Sequence, residues 1–306
     1  MSGELATFEA ERARLLGLAY RLTGSVVDAE DAVQEAWIRY AAAEGLLRPA
    51  AWLTTVVTRL CLDHLGAASR RRETYPGTWL PEPIVTEPHD PADLAVVADE
   101  VRYAGLVLLD RLPADQRVAF VLHDVFDVPF AQIADILDTT TANARQLASR
   151  GRRAMAEVPP ESPPAEHRAA VEGLLRALER GDAAGVAEAL HPEVTAYGDS
   201  GGLTPTAGRP VVGPEPVARF FQGLVRLYGD QRLAAMRLVD VNGRLGLVTP
   251  GTDGRFPARV AAFSVVDGRV VGTYDVAHPD KLGGVRLMDW QPTAPDTPNR
   301  RRSPGR

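Results

Sequence analysis

From Phe8 to Arg72 apolar residues recur every three or four positions. Leu15, Leu18, Ala19 and Leu22 form one stripe, Ala29, Val33, Ala36, Trp37 and Tyr40 a second, and Leu53, Val56, Val57, Leu60 and His64 a third. That spacing is the signature of amphipathic helices, so residues 5–73 are predicted to form an all-helical bundle. Residues 99–157 are helical in pattern again. Leu112-Pro113 opens a helix there, and Asp127-Val128-Pro129 breaks one. After Pro164 the texture changes. Helical runs at Glu166–Arg180 and Pro214–Tyr228 are followed by strand-like segments joined at Asn242-Gly243, Asp253-Gly254 and Asp267-Gly268. Such pairs accept the positive φ of type I′ turns, so residues 166–290 are predicted to pack helices on a curved antiparallel meander, an α+β unit. Proline-rich segments at 74–98 and 158–165 read as linkers, and residues 291–306, rich in Pro and Arg, as a disordered basic tail.

The most specific local pattern lies at Pro129–Met155. Phe130, Ile133, Ala134 and Leu137 make a short amphipathic helix, and Asp138-Thr139-Thr140 a turn with a candidate N-cap. Ala144, Leu147 and Ala148 give the buried face of a second helix. This is a helix-turn-helix with Asp where glycine is usual, and Asp tolerates the left-handed conformation. The outer face of its second helix offers Asn143, Arg145, Gln146, Ser149, Arg150, Arg152 and Arg153, side chains suited to base edges and phosphates. A generic helical hairpin with a solvated basic face is the bland alternative.

The formal charge of −6 argues against a nucleic-acid binder only as a sum. Arginines bunch at Ser69–Arg72, at Ala148–Arg153 and in the tail, while acids gather at Asp28–Glu35. Fields act within a Debye length of about 8–10 Å, so an acidic chain can carry basic DNA-binding faces. The one cysteine, Cys61, falls in an apolar stripe, and six scattered histidines make no metal spacing, so neither metal nor cofactor is expected. No run approaches the roughly 18 apolar residues of a membrane span, and the expectation is a soluble, cytoplasmic protein with no membrane contact.

The order of parts carries more than any one of them. The acidic helix Asp28–Tyr40 is followed by WLTTVVTRLCLDHL with a basic run, a linker and the helix-turn-helix. Over Phe8–Arg153 this resembles the extracytoplasmic-function (ECF) sigma factors. The resemblance implies RNA polymerase core, through its β′ and β subunits, and promoter DNA as partners. It assigns core binding to Asp28, Asp31, Gln34, Glu35 and Trp37, and −10 contacts to Arg48, Thr55, Thr58, Arg59 and Asp63. The −35 duplex falls to the helix bearing Asn143, Arg145, Gln146, Ser149, Arg150 and Arg153.

Trp79-Leu80-Pro81-Glu82-Pro83 sets an aromatic side chain on a backbone stiffened by two prolines, physically an anchor for an intramolecular contact. The pentapeptide is similar to a signature of the ECF41 group, which carries a carboxyl-terminal SnoaL-like domain of the NTF2-like cone fold. Two further segments agree. Tyr197–Leu203 matches that group's Asp-Gly-Gly-Gly-Lys apart from Ser200 and Leu203, and Ala277–Leu282 matches Asn-Pro-Asp-Lys-Leu apart from His278. The resemblance thus implies a multidomain chain of two all-α sigma modules followed by an α+β NTF2-like (SnoaL-like) cone. Its regulatory contact would join the pentapeptide to Asp199, Gly201, Gly202, Pro279, Asp280, Lys281 and Leu282. Cones often enclose a pocket, and Tyr197, Asp199, Tyr274, Asp275 and His278 are candidates for its mouth, or else a satisfied polar rim. Two alternatives stay open: a one-component regulator whose cone senses a small molecule, and a SnoaL-like cyclase or isomerase fused to DNA-binding helices. No motif places a second catalytic carboxylate or a nucleophile, so a non-enzyme is expected.

Overall fold

The computed structural model describes residues 2–72, 74–86, 96–97, 101–157, 160–229, 235–251, 257–283 and 285. The tail, the Asp253-Gly254 turn and the side chains of the Ser69–Arg72 run lie outside the described residues. The first unit is three helices, α1 (Ser2–Thr23), α2 (Val26–Ala41) and α3 (Pro49–Arg72). Leu15, Leu18, Ala19 and Leu22 of the first stripe are completely buried between them. Ser25 caps α2 by accepting the Asp28 N–H at 3.2 Å.

The second unit contains α4 (Tyr103–Arg111), α5 (Ala114–Phe120) with a π-helical extension at Val121–Val125, α6 (Phe130–Ile136) and α7 (Thr141–Met155). The turn between α6 and α7 follows from its residues. Asp138 sits at φ 49°, the Thr139 N–H reaches the Ala134 carbonyl at 2.9 Å, and Thr140 caps α7 by accepting the Asn143 N–H at 3.1 Å. Helix α7 crosses α5 at Gly151, where a β-carbon would lie 2.7 Å from that of Phe120.

The two helical units share one hydrophobic core, in which Leu15 and Leu18 belong to the same cluster as Leu122, Ile133 and Leu147. Arg117, 3% exposed, fixes the contact by donating to the carbonyls of Leu22 at 2.6 Å and Asp110 at 2.7 Å.

The third unit has α8 (Pro164–Glu179), α9 (Ala183–Ala189) and α10 (Pro214–Tyr228) against a sheet of β2 (Leu190–Asp199), β3 (Val211–Val212), β4 (Arg237–Val241), β5 (Arg244–Thr249), β6 (Arg259–Val266) and β7 (Arg269–Val276). β1 (Val85–Thr86) comes from the linker and pairs antiparallel with β4. The order is β1-β4-β5-β6-β7-β2-β3, and the meander β4–β7 is antiparallel as expected. β2 departs from that expectation by pairing parallel to β7, with Tyr197 opposite Tyr274. Hairpin turns report only on neighbours in sequence, so this pairing leaves no turn signal.

Asn242, at the β4–β5 turn, has φ 48° and is fully buried. Its side chain accepts from the Ile84 N–H at 3.1 Å and donates to Tyr20 Oη at 3.1 Å and to the Val101 carbonyl at 3.0 Å. One turn residue thereby joins the cone, the linker and both helical units. Asn242→Ala is expected to destabilise the chain by about 2–4 kcal/mol, because three buried partners lose their bonds. Urea unfolding followed by tryptophan fluorescence measures it, and a loss under about 1 kcal/mol would remove Asn242 from this role.

Candidate functional site

The linker segment Tyr75–Ile84, just before β1, bonds to both helical units and to the cone. Pro81 and Pro83 have no N–H, so over Leu80–Ile84 only alternate residues donate, and each donor has a different partner. Leu80 donates to Asp199 Oδ2 at 2.8 Å, Glu82 to the Gly24 carbonyl at 2.8 Å, and Ile84 to Asn242. The carbonyls are taken as well. Leu80 accepts from Lys281 Nζ at 2.5 Å, Pro81 from Tyr103 Oη at 2.6 Å, and Glu82 from Tyr20 Oη at 2.7 Å. All five residues from Leu80 to Ile84 are buried.

Asp199, 1% exposed, gathers the cone side of this contact. Besides the Leu80 N–H, it accepts from Lys281 Nζ at 2.5 Å, from the Gly201 N–H at 3.3 Å and from the Tyr75 hydroxyl in a very short hydrogen bond. Burial, and then the carboxylate beside it, push the Tyr75 phenol up, which keeps it a donor. The ammonium of Lys281 also lies 3.2 Å from the centroid of the Trp79 ring, and Tyr75 meets Trp79 edge-on at 4.7 Å. Below them Leu80, Tyr103, Val107, Tyr274 and Leu282 share one apolar cluster built from linker, α4 and cone. On the opposite side the Glu82 carboxylate accepts from the Val26 N–H at 2.7 Å and from Ser25 Oγ at 3.1 Å, so a linker acid sits at the positive end of α2. Burial raises its pKa and these donors lower it, burial prevailing.

Most residues assigned to the regulatory contact meet in this cluster, with two corrections. Pro279 and Asp280 are exposed; the Asp280 N–H bonds to His278 Nδ1 at 3.2 Å, closing a local turn, and the Asp280 carboxylate acts on the Tyr75 phenol through its charge. Gly201 and Gly202 both have positive φ, and a β-carbon on Gly201 would lie 2.3 Å from the His278 ring. Of the candidate pocket-mouth residues, Tyr197, Tyr274 and Asp275 line a cone cavity, whereas Asp199 and His278 turn toward Tyr75.

On α2, Asp31 and Gln34 are exposed, Asp28 is half-buried 3.5 Å from His64 Nδ1, and Glu35 pairs with Arg39 at 2.8 Å. Trp37 packs on Phe8 at 4.8 Å, so much of it serves the core. On α3 and its preceding loop, Arg48, Arg59 and Asp63 are exposed. Thr58 needs correcting: it is completely buried and its hydroxyl donates to the Thr54 carbonyl at 2.7 Å, because it falls on the inner stripe of α3. Thr55 and Arg59 have intramolecular partners. Gln132 Nε2 donates to Thr55 Oγ1 at 3.2 Å and to the Ala51 carbonyl at 3.0 Å, and Arg59 donates to the Asp135 carbonyl at 3.1 Å. Helix α6 therefore covers part of the α3 face. On α7, Asn143, Arg145, Gln146, Arg150, Arg152 and Arg153 are exposed and Ser149 half-exposed, an arginine-rich face open to solvent. Among the described residues no group of three or more His, Cys, Asp or Glu converges as a metal site, and no helix is long and apolar enough to cross a membrane.

Sequence reasoning missed Tyr20, Tyr75, Tyr103, Gln132 and Asn242. Each lies on an ordinary helix, linker or turn, and only tertiary placement gives it a partner.

Comparison with known proteins agrees with the order of parts. The profile of sigma-70 region 2 matches residues 7–71 and that of sigma-70 region 4 matches residues 106–155. The chain is 49% identical over 303 residues to the ECF RNA polymerase sigma factor SigJ of Mycobacterium tuberculosis, covering 95% of this chain and 97% of that protein. It is 38% identical over 215 residues to the probable ECF RNA polymerase sigma factor SigI of the same species, covering 68% of this chain and 74% of that one. The crystal structure of Mycobacterium tuberculosis SigJ superposes with a TM-score of 0.80 at 48% identity, covering 92% of this chain and 99% of that one.

Asp199→Asn removes the charge that the buried Lys281 ammonium faces and is expected to destabilise the chain by about 3 kcal/mol. Lys281→Met in the same background should recover part of that loss, a coupling that a double-mutant cycle in urea detects and that additive losses would refute.

Proposed function

The chain belongs to the ECF RNA polymerase sigma factors, and on that premise we propose that it is a sigma factor held in a closed arrangement by its own carboxyl-terminal cone. As a member of the family it binds RNA polymerase core and directs promoter-specific transcription initiation. In our reading it acts in the cytoplasm and is not an enzyme; the β′ and β subunits meet the α2 face through Asp31, Gln34 and Glu35, with Asp28 and Trp37 shaping its base. The exposed arginines of α7 take the −35 duplex, and Arg48, Thr55, Arg59 and Asp63 take the −10 element.

The observation that supports the closed reading is the contact of α6 with α3. The two promoter elements lie about 25 base pairs apart, on the order of 85 Å at about 3.4 Å per base pair. The two modules here are joined by a side-chain hydrogen bond of 3.2 Å between Gln132 and Thr55, so they must part before both can sit on one promoter. The linker that would lengthen is the strand fixed by Asp199, Lys281 and Asn242. The cone thus serves as an internal inhibitor, and polymerase competes with it for the same chain. A bias of a few kcal/mol is enough for such a two-state device.

Charge reversal of Asp31 and Glu35 together should abolish co-purification with core polymerase while far-UV circular dichroism stays unchanged. Retained binding at moderate salt would move the polymerase contact elsewhere. For the closed state, Thr55→Cys with Gln132→Cys, joined by a short bismaleimide, should lose at least about tenfold in run-off transcription relative to the same unlinked variant, and Trp79→Ala should exceed the unmodified chain. The native Cys61 is buried and is spared the reagent. Equal output from linked and unlinked protein would refute the closed reading.

A further inference from the structure

Between α8, α10 and the face of the sheet the cone has a partly open cavity of about 420 Å³. Small-molecule sites usually span roughly 300–1,000 Å³. Its wall is apolar and aromatic, with Phe220, Phe221, Tyr228 and Met236 on the helix side and Leu247 and Phe263 on the sheet side. Two polar atoms on this wall are buried without a hydrogen-bond partner among the described residues, Thr249 Oγ1 and Arg259 Nε. Neither residue is accessible to bulk solvent, at 0% and 6% exposure. The two residues are register partners across β5 and β6, so the two groups stand side by side on one wall.

The rest of Arg259 is engaged. It pairs with Asp275 Oδ2 at 3.2 Å, reaches the Pro205 carbonyl at 3.4 Å, and lies over the Tyr228 ring at 4.8 Å. Asp275 also accepts from Thr206 Oγ1 at 2.9 Å. The guanidinium charge is therefore balanced already, and an incoming carboxylate would add a second negative charge beside Asp275. What remains open is one N–H donor and one hydroxyl. We propose that this cavity binds a largely apolar small molecule with one neutral hydrogen-bond acceptor, a ketone or ester carbonyl, that accepts from Thr249 and from Arg259 Nε. The site does not depend on the polymerase reading, yet its wall adjoins the junction. Tyr197 and Tyr274 line it, stacked at 5.5 Å, and Tyr274 meets Tyr103 of α4 at 5.4 Å. An occupant touches the wall on which α4 leans.

The test titrates the full chain with a neutral naphthyl ketone, 6-propionyl-2-dimethylaminonaphthalene, whose emission shifts to the blue in apolar surroundings. The anionic 1-anilinonaphthalene-8-sulfonate serves as an aromatic probe without the carbonyl. Saturable binding of the ketone is expected, tighter than that of the sulfonate. Thr249→Val should weaken it at least about fivefold, and Leu224→Trp, which fills the cavity from a half-buried position on α10, should abolish it. Circular dichroism and melting temperature establish that both variants fold. Absence of saturable binding, binding unmoved by both variants, or a sulfonate that binds more tightly than the ketone would each overturn the proposal.

Discussion

The arrangement depends on one buried carboxylate. Asp199 is held away from water and collects four donors, of which two, the Leu80 N–H and the Tyr75 hydroxyl, belong to the linker, and a third, Lys281, bridges to the Leu80 carbonyl. A carboxylate at such a site is tolerable only while those donors are present. The linker therefore completes the electrostatics of the cone, and the cone completes the hydrogen bonding of the linker. Neither reaches this arrangement alone, which is why a proline-rich segment that reads as a solvated spacer is buried over Leu80–Ile84.

Sequence explains why the linker meets so many elements. Proline at every second position removes every second N–H, leaving the amides of Leu80, Glu82 and Ile84 for cone, α1–α2 turn and hairpin respectively. The side chains divide in the same way: Leu80 enters the apolar cluster with α4 and the cone, while Glu82 reaches the start of α2. Removing the strand would cost α2 this acid at its positive end as well as freeing the helix-turn-helix. Helix α2 and helix α4 of the second unit are in this way tied to the same five residues.

Local chemistry was legible, and tertiary chemistry was not. The stripes of α1 to α3, the left-handed Asp138, the Thr140 cap and the turns at Asn242 and Asp267 all follow from short-range rules, and the structure has them where the pattern puts them. The parallel pairing of β2 with β7 was hidden because its partners lie far apart in sequence. Thr58 lies on the inner stripe although a threonine on a helix carries no sign of which face it occupies, and its hydroxyl is satisfied by its own backbone. In sequence Asn242 is only a turn former. A turn residue that also bonds three other segments has the same sequence signature as one that bonds none.

The composition of the junction determines how it can open. A clasp made only of apolar surface would expose that surface to water on release, whereas this one also rests on hydrogen bonds and a buried ion pair. Its hydrogen bonds contribute about 0.5–1.5 kcal/mol each in net terms, somewhat more where a charge takes part, because water replaces each lost partner. Asp199, Lys281 and Glu82 all regain hydration when the linker leaves, so their desolvation is recovered in the open state. The apolar share centres on Leu80, Leu282 and the tyrosines, of which Tyr103 and Tyr274 can stay packed on each other. Opposing terms of this kind leave a small difference between closed and open chains. On the closed reading proposed above, polymerase core and promoter DNA need supply only that difference to open the chain.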